Sequence, residues 1–522
     1  MDDHEGNDIT IEHFLSEHYE EESAIARFYA GKVIFVTGGT GFMGTILLEK
    51  ILRSCPSVEK VYVMMRGKKG KCLEERFKEQ FEGPVFEAMR TQRPGFQLKV
   101  YPLEGDCSQP QMGLSQESRE KLKEVNVVFH MAATVRFDEK IRLATAINVQ
   151  STVDLLALAR TMPDLKAFVH VSTAYSYPQN KIIEEKFYKP DVSPERLMNI
   201  LNSMEDDMLN AITPQLITTW PNTYAFTKAV AEDVVQQHSK GLPVIMVRPS
   251  IVISTAKEPI AGWINNVYGP TGVVAGAGVG LIKALYCDSE KLADMVPVDM
   301  AINSVLAAAW DIASRDTENR QLERGEEAEP DPPVLNYVAS VDQPITWGQF
   351  MALNARGVEI PSMRCIWYYD FRLVKNRFLY LIYQFFMHLV PAFLVDMGCR
   401  VVGKKPFLQD AYRKIHKFST VISYFCCQDW QFRNDNVHKL WDKMNSMDRK
   451  VFDFNMKRLT WEQYFRTYMR GLRVYILGDP LDTLEESKVR YRKLKLAHLA
   501  VVWSVRILVF WLLLQLLRWI VL

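Results

Sequence analysis

Residues 32–44 read KVIFVTGGTGFMG, an unbroken apolar run that stops abruptly at glycines. A continuous apolar stretch of this length is the pattern of a strand buried on both faces, as in a parallel sheet. The segment Thr37 to Gly44 follows that strand and opens a helical stretch from Thr45 to Arg53, the setting a dinucleotide fingerprint requires. Gly38 suits the tight turn, Gly41 lets the backbone approach a pyrophosphate, and Gly44 allows close helix–sheet packing. Gly39, Thr40, Phe42 and Met43 complete the loop. The helix that follows offers amide donors and a partial positive charge to phosphates.

Further strands are expected in VEKVYVMMR, LKVYPLEGD, VNVVFHMAAT, LKAFVHVST and LPVIMVRPS. They alternate with helical segments such as ATAINVQSTVDLLALARTM, which predicts βαβ crossovers. The fold class is therefore α/β, a doubly wound parallel-sheet Rossmann domain over residues 31–315. Residues 1–30 are acidic and predict a mobile lead-in. DTENRQLERGEEAEPDPP (316–333) is polar and proline-punctuated, the composition of an exposed linker. Residues 334–480, with RFLYLIYQFFMHLVPAFLVD and VFDFNMKRLTWEQYFRTYMRGL, predict a smaller, mainly helical C-terminal domain. A terminal apolar helix is expected over 496–522.

Composition narrows the function. The chain has 522 residues, 48% hydrophobic and 24% charged, which excludes a disordered or collagen-like protein. A net charge of +1 provides no global basic field, so nucleic acid is not an expected partner. The eight cysteines form no C-x-x-C and no zinc-like spacing with histidine, so no metal site is expected. Nine acidic residues precede the first basic one, Arg27, the reverse of a secretory leader. The body of the protein is thus expected in reducing cytosol, with its cysteines as thiols.

Two further clusters carry chemistry. The second strand ends at Arg66, followed by Lys68 and Lys69, where an NAD-specific site would place an acidic residue for the ribose. A guanidinium there can hold a 2′-phosphate bidentately, which favours NADPH. Tyr224 and Lys228 form a Y-x-x-x-K pair, and i,i+4 spacing sets both on one helix face. A neighbouring ammonium is expected to lower the phenol pKa and ease proton transfer. Ser172 and Thr173 end the strand in VHVSTAY, at the carboxyl edge where ligands bind in open α/β sheets, and can orient a carbonyl.

These motifs together resemble the extended short-chain dehydrogenase/reductases. HMAATVRFDE, FVHVSTAYS, PNTYAFTKAVAE, VRPSIV, EPIAGWINNVYGPTG and VPVDMAINSVLAAAW look more closely like the alcohol-forming fatty acyl-CoA reductases, from about residue 28 onward. The resemblance implies NADPH-dependent reduction of a long-chain acyl-CoA through an aldehyde to a primary alcohol. It implies Tyr224 as general acid, Lys228 as its electrostatic partner, and Thr173 as the carbonyl-orienting hydroxyl with Ser172 in reserve. Asp106 matches the residue near the adenine, Ala132 and Ala133 the cofactor floor, Asn148 a position on the following helix, and Pro249 and Ser250 the nicotinamide end. No cysteine occupies these positions, which favours hydride chemistry without a covalent acyl-enzyme. About fifty residues separate Thr173 from Tyr224, roughly twice the gap of sugar-modifying relatives. Residues 177–221 are then an insertion, either a substrate flap or a packed surface helix pair. A membrane-bound sterol or nucleotide-sugar oxidoreductase, or a non-catalytic cofactor-binding scaffold, are the alternatives.

The tail has its own logic. Lys488, Arg490, Arg492, Lys493 and Lys495 immediately precede the apolar terminus and mark a cytosolic flank. Ile507 to Leu522 spans roughly 24 Å as a helix at ~1.5 Å per residue, with Arg506 and Arg518 placed to snorkel. A tail anchor with the catalytic domain in the cytosol is expected, on peroxisome or endoplasmic reticulum. An interfacial helix and a buried core helix are the other readings. The apolar segment 378–402 contains His388, Pro391, Asp396 and Arg400, so it reads as domain core or as a membrane-dipping acyl-chain site. Oligomerisation is not legible.

Overall fold

In β1 (Val33–Thr37) every residue is buried, because its alternate side chains pack into two different cores. Ile34 and Val36 join the core on one side of the sheet, Val33 and Phe35 the core on the other. The computed structural model describes residues 22–67, 70–322 and 330–521. The strands β2 (Lys60–Met65), β3 (Val100–Glu104), β4 (Val127–His130), β5 (Ala167–Val171) and β6 (Val244–Pro249) fall where the apolar runs predict them. All pair in parallel, in the order β7-β6-β5-β4-β1-β2-β3, where β7 is Val334–Tyr337. The chain reverses its winding between β1 and β4, and ligands bind at such a crevice in doubly wound sheets.

Helices cover both faces. On one side lie α1 (Phe42–Ser54) and Val298–Leu322. On the other lie α2 (Ser151–Ala159) and α3 (Thr223–His238). The seventh strand departs from the expected domain division. Val334–Tyr337 pairs with Val244–Pro249 and so belongs to the Rossmann sheet, not to the C-terminal part. Residues 316–322 of the expected linker continue the helix begun at Val298, and 323–329 lie outside the described residues.

The lead-in also differs where it is described. Ala24–Tyr29 is helical, with Ile25 and Tyr29 fully buried. Ser23 donates to Asp448 at 2.6 Å and the Tyr29 hydroxyl to the Leu306 carbonyl at 2.9 Å, so this segment is docked. The insertion at 177–221 forms helices over Pro194–Ser203 and Asp206–Leu216. Their Leu197, Leu201 and Leu209 sink into the core that also holds α3. Ile182–Ile183 pairs with Gln431–Phe432 and thus splices the insertion to the C-terminal region.

The C-terminal region is mainly helical. It includes α4 (Arg377–Val401), α5 (Leu408–Cys426) and the terminal α6 (Leu484–Val521).

One buried ion pair ties α3 to the sheet. Arg248 of β6 and Glu232 of α3 meet at 2.6 Å with both side chains at 0% exposure. Arg248 also donates to the carbonyls of Glu184 and Lys186, which fastens the insertion to the same guanidinium. Removing one partner strands a desolvated charge. Glu232→Ala is therefore expected to lower unfolding free energy by about 3–5 kcal/mol, read from the shift in urea midpoint at unchanged slope.

Candidate active site

The glycine loop is shaped by contacts that a side chain would block. Gly38 sits at φ +75°, and a Cβ there would meet the Ala132 nitrogen at 2.7 Å. A Cβ on Gly44 would lie 2.2 Å from the Gly38 carbonyl, so α1 can approach the turn only as glycine. Gly39 is closed in by Val63, 2.6 Å from where its Cβ would stand. Gly41 is the N-cap of α1 and forms no side-chain cap hydrogen bond, which leaves first-turn amides without a side-chain acceptor. Gly38, Thr40, Gly41, Phe42, Met43 and Gly44 line one cavity of about 800 Å³. An open-capped helix beside a crowded glycine turn fits a dinucleotide pyrophosphate.

Thr37 serves a different purpose. Its hydroxyl lies 2.7 Å from His130 Nδ1 and receives the Ala132 N–H at 3.4 Å, so it binds the end of β1 to that of β4. Ala133 lines the cavity, whereas Ala132 backs the Gly38 turn. Asn148 lies in a π-helical turn, Ala146–Gln150. It accepts from the Thr134 N–H at 3.0 Å and donates to Thr227 of α3 at 2.9 Å, which fixes α3 against the loop after β4. Among the described residues it braces the cavity without lining it.

Asp106 and Arg66 stand at the carboxyl ends of β3 and β2, 4.0 Å apart, with Arg66 68% exposed. Arg76 donates to the Arg66 carbonyl, bringing a second guanidinium to this end. Sequence reasoning missed Arg76 because it lies in a charged surface helix with no motif around it. Lys68 and Lys69 lie outside the described residues.

At the centre of the cavity, Thr173, Tyr224, Ser172, Pro249 and Ser250 share the lining. Asn222 caps α3 by accepting from the Ala225 N–H at 2.8 Å, so the helix begins just before Tyr224. Lys228 follows one turn later, is 2% exposed, and donates to the Val171 carbonyl at 2.7 Å. Glu232, one further turn along, accepts from Ser172 at 2.5 Å. The Ser172 hydroxyl proton is thus committed to the buried ion pair, leaving Thr173 as the hydroxyl beside Tyr224.

The electrostatics depart from expectation. Burial pushes the Tyr224 phenol up to about 12, against a lowering hydrogen bond with Thr173. The expected depression by Lys228 is absent, since its ammonium is turned to the strand carbonyl. Lys228 is itself brought down to about 8 by burial, partly opposed by Glu232. Behind it, burial and then Lys228 lower His130 to about 3. His170, 5.3 Å from His130 ring to ring, is held neutral by the same causes.

Beyond Tyr224 the lining turns apolar and comes from the C-terminal half. It includes Leu285, Phe350, Leu373, Ile422 and Phe425, and Phe137 stands between Tyr224 and Phe425 at 5.9 Å from each ring. No residue of 177–221 lines this cavity, and the leucines of its two helices pack into the core beside α3. The aromatic lining after residue 340 was also invisible in sequence, because helical spacing of Phe and Ile looks the same in a core and in a cavity wall.

Known proteins resemble the chain over most of its length. The male sterility protein family matches twice, with its NAD-binding domain over residues 36–305 and its Sterile domain over residues 387–479. Fatty acyl-CoA reductase wat of Drosophila melanogaster is 42% identical over 481 residues, covering 92% of this chain and 90% of that protein. The chain belongs to the fatty acyl-CoA reductases. Fatty acyl-CoA reductase 1 of Rattus norvegicus is 37% identical over 90% of each chain. Among solved structures, the reductase domain of a non-ribosomal peptide synthetase from Mycobacterium tuberculosis aligns with a TM-score of 0.54. It is 17% identical and covers 90% of this chain and 98% of its own. That similarity confirms the fold. This reductase therefore carries a nicotinamide-binding Rossmann domain, and its terminal apolar helix is a candidate membrane anchor.

Gly44→Ala tests the loop directly. Its Cβ must displace the Gly38 carbonyl, and a shift near 1 Å in a binding loop costs about 100-fold in kcat/KM. Steady-state kinetics together with a fluorescence titration of the reduced cofactor should show the loss chiefly in cofactor affinity.

Proposed function

We propose that the enzyme uses NADPH to reduce a long-chain fatty acyl-CoA through the aldehyde to a primary alcohol, releasing CoA. The observation that carries this reading is the single cavity of about 800 Å³. It starts at the glycine loop, passes Thr173 and Tyr224, and continues between apolar side chains of the C-terminal half. A dinucleotide fits the first part, a carbonyl the second, and an alkyl chain the third.

Residues Gly38 to Gly44 would hold the pyrophosphate, Arg66 with Arg76 the 2′-phosphate, Asp106 the adenosine end, and Pro249 with Ser250 the nicotinamide end. When bound, the nicotinamide supplies hydride. Tyr224 holds its proton at neutral pH because burial keeps the phenol up to about 12, and this protonation state suits a general acid. Its hydroxyl and that of Thr173 donate toward the substrate oxygen as negative charge develops there. Lys228 lies one helical turn beyond Tyr224 and is held in place by its bond to the Val171 carbonyl. The apolar wall excludes water from the reacting carbon. The same groups serve the thioester and the aldehyde in turn, because both present a carbonyl oxygen to the same donors.

The terminal helix α6 would anchor the enzyme with its catalytic part in the cytosol, on the peroxisome or endoplasmic reticulum. Its 18-residue apolar core has 0% of its residues buried within the protein, and the basic run Lys488 to Lys495 precedes it.

Tyr224→Phe keeps the ring and removes the donor. Alcohol formation from palmitoyl-CoA should fall about 100- to 10,000-fold while NADPH affinity stays within a few-fold. Product chromatography beside a cofactor-binding titration checks both, and retention of a tenth of wild-type turnover would remove Tyr224 from its role.

Arg66→Asp replaces a phosphate partner by a repelling charge. A charge-assisted bond is worth about 1.5–3 kcal/mol, or roughly one to two decades of preference. The ratio of NADH to NADPH kcat/KM should rise by that amount, and an unchanged ratio would shift the discrimination away from Arg66.

A further inference from the structure

Helix α4 carries its side chains the wrong way round for contact with water. Phe378, Phe386, Phe393, Leu394 and Val401 are 53% to 83% exposed, while the buried positions include Tyr380, His388 and Asp396. Each of these buried polar groups is bonded to the body. The Tyr380 hydroxyl pairs with Ser419 at 3.1 Å. His388 Nε2 accepts the Lys283 N–H at 2.9 Å, and Asp396 accepts three backbone N–H groups at the start of α5. A surface helix of a soluble domain shows the opposite distribution, and a contiguous apolar face of this extent marks a binding surface.

The helix has the length and apolarity to cross a bilayer. Its attachments at 380, 388 and 396 run along its whole length, so it cannot leave the body to do so. Lying flat in an interface is compatible with all of them.

The terminal helix indicates what covers this face. Lys283 gives its N–H to His388 of α4 and its Nζ to the Tyr368 carbonyl at 2.7 Å. The Tyr368 ring lies 5.4 Å from His498 of α6, and Trp367 donates to His498 at 3.1 Å. The middle of α4 is thus linked to α6 through Lys283 and Tyr368. Arg377 begins α4, Arg400 lies in its last turn, and Lys404 and Lys405 follow it, all exposed, which suits anionic headgroups.

We propose that α4 lies in the plane of the bilayer with its outer face among the acyl chains, so that the enzyme rests on the membrane at two places. This rests on the reading of the chain as an anchored acyl-CoA reductase and extends it. The layer directly beneath α4 consists of α5 and the paired strands Ala284–Tyr286 and Arg372–Val374. The same layer supplies Leu285, Leu373, Ile422 and Phe425 to the catalytic cavity. The apolar end of that cavity is therefore one layer of protein away from lipid, and the long chain of the substrate passes between bilayer and cavity over this short distance.

The test uses the full chain in vesicles of phosphatidylcholine and phosphatidylserine containing a phosphatidylcholine with a photoactivatable acyl tail. Peptide mapping after illumination should find label on Phe385, Phe386, Phe393 and Leu394 within about threefold of that on residues 507–517, as for a helix sunk about 5–10 Å into the interface. Label confined to α6 would overturn the proposal, as would disulfide-linked dimers of Phe386→Cys forming in the vesicles, since a second copy would then cover the face. The double variant Phe386→Glu, Phe393→Glu should stay membrane-bound through α6 and keep its turnover of a short, water-soluble acyl-CoA. Its KM for vesicle-borne palmitoyl-CoA should rise about tenfold at constant kcat, and an unchanged KM would refute the seating. Absence of palmitoyl-CoA turnover in the unmodified protein would instead sink the acyl-CoA reading, while the labelling pattern still decides the position of α4.

Discussion

The Arg248–Glu232 pair is the constraint on which the catalytic centre depends. With both side chains fully buried, neither charge can be satisfied except by the other and by the few groups around them. Those groups are Ser172 next to Thr173, and the carbonyls of Glu184 and Lys186 in the insertion. Glu232 lies on the same face of α3 as Lys228 and Tyr224, at successive steps of four residues. Fixing Glu232 against β6 therefore fixes the rotation and height of the helix that presents the phenol. Asn148 fixes it from the other side through Thr227. A helix held at both flanks by buried polar contacts has little freedom to drift by the fraction of an ångström that proton transfer tolerates.

The same desolvation sets the chemistry. Water is excluded around Lys228, His130 and His170, so both imidazoles are neutral at physiological pH and Lys228 is the cation of this cluster. The resting phenol stays protonated because burial holds it up to about 12. This arrangement suits reduction, where the acid must start with its proton. The buried ion pair and the lowered lysine thus share one physical origin, the absence of water behind the sheet edge.

Much of this was legible in the sequence. The six strands from Val33 to Pro249 are apolar runs closed by glycine or polar residues, and each appears where its run lies. The glycine loop was legible in detail because steric demands on Gly38 and Gly44 leave no other residue possible. Val334–Tyr337 was assigned to the wrong part of the chain. Four residues after an acidic, proline-rich stretch carry too little pattern, and only pairing with β6 reveals their place. Ser172 and Thr173 looked interchangeable because hydroxyl chemistry is the same in both, and the partner that separates them, Glu232, is sixty residues away from Ser172. Thr37 and Asn148, expected at the cofactor, also join the end of β1 to β4 and α3 to the loop after β4. Sequence shows which residues can make polar bonds, but the fold decides who receives them.

Two successive reductions at one centre place a demand on the apolar end of the cavity. Once the thioester has been reduced and CoA has departed, the aldehyde retains no nucleotide handle. On the proposed function it would be held by its chain and by the hydroxyls of Thr173 and Tyr224. Burial of each methylene is worth up to about 0.8 kcal/mol, so on the proposed function a chain lodged among Phe350, Leu373, Ile422 and Phe425 would hold the aldehyde by its length. The dinucleotide cradle is a different wall of the same cavity, formed by Gly38 to Gly44. On the proposed function, spent cofactor would exchange there while the chain stays in place, and Thr173 and Tyr224 would meet the carbonyl a second time without rebuilding the site. The C-terminal half would then have a kinetic task as well as a recognition task, since its apolar wall would keep the aldehyde in place until the second hydride transfer.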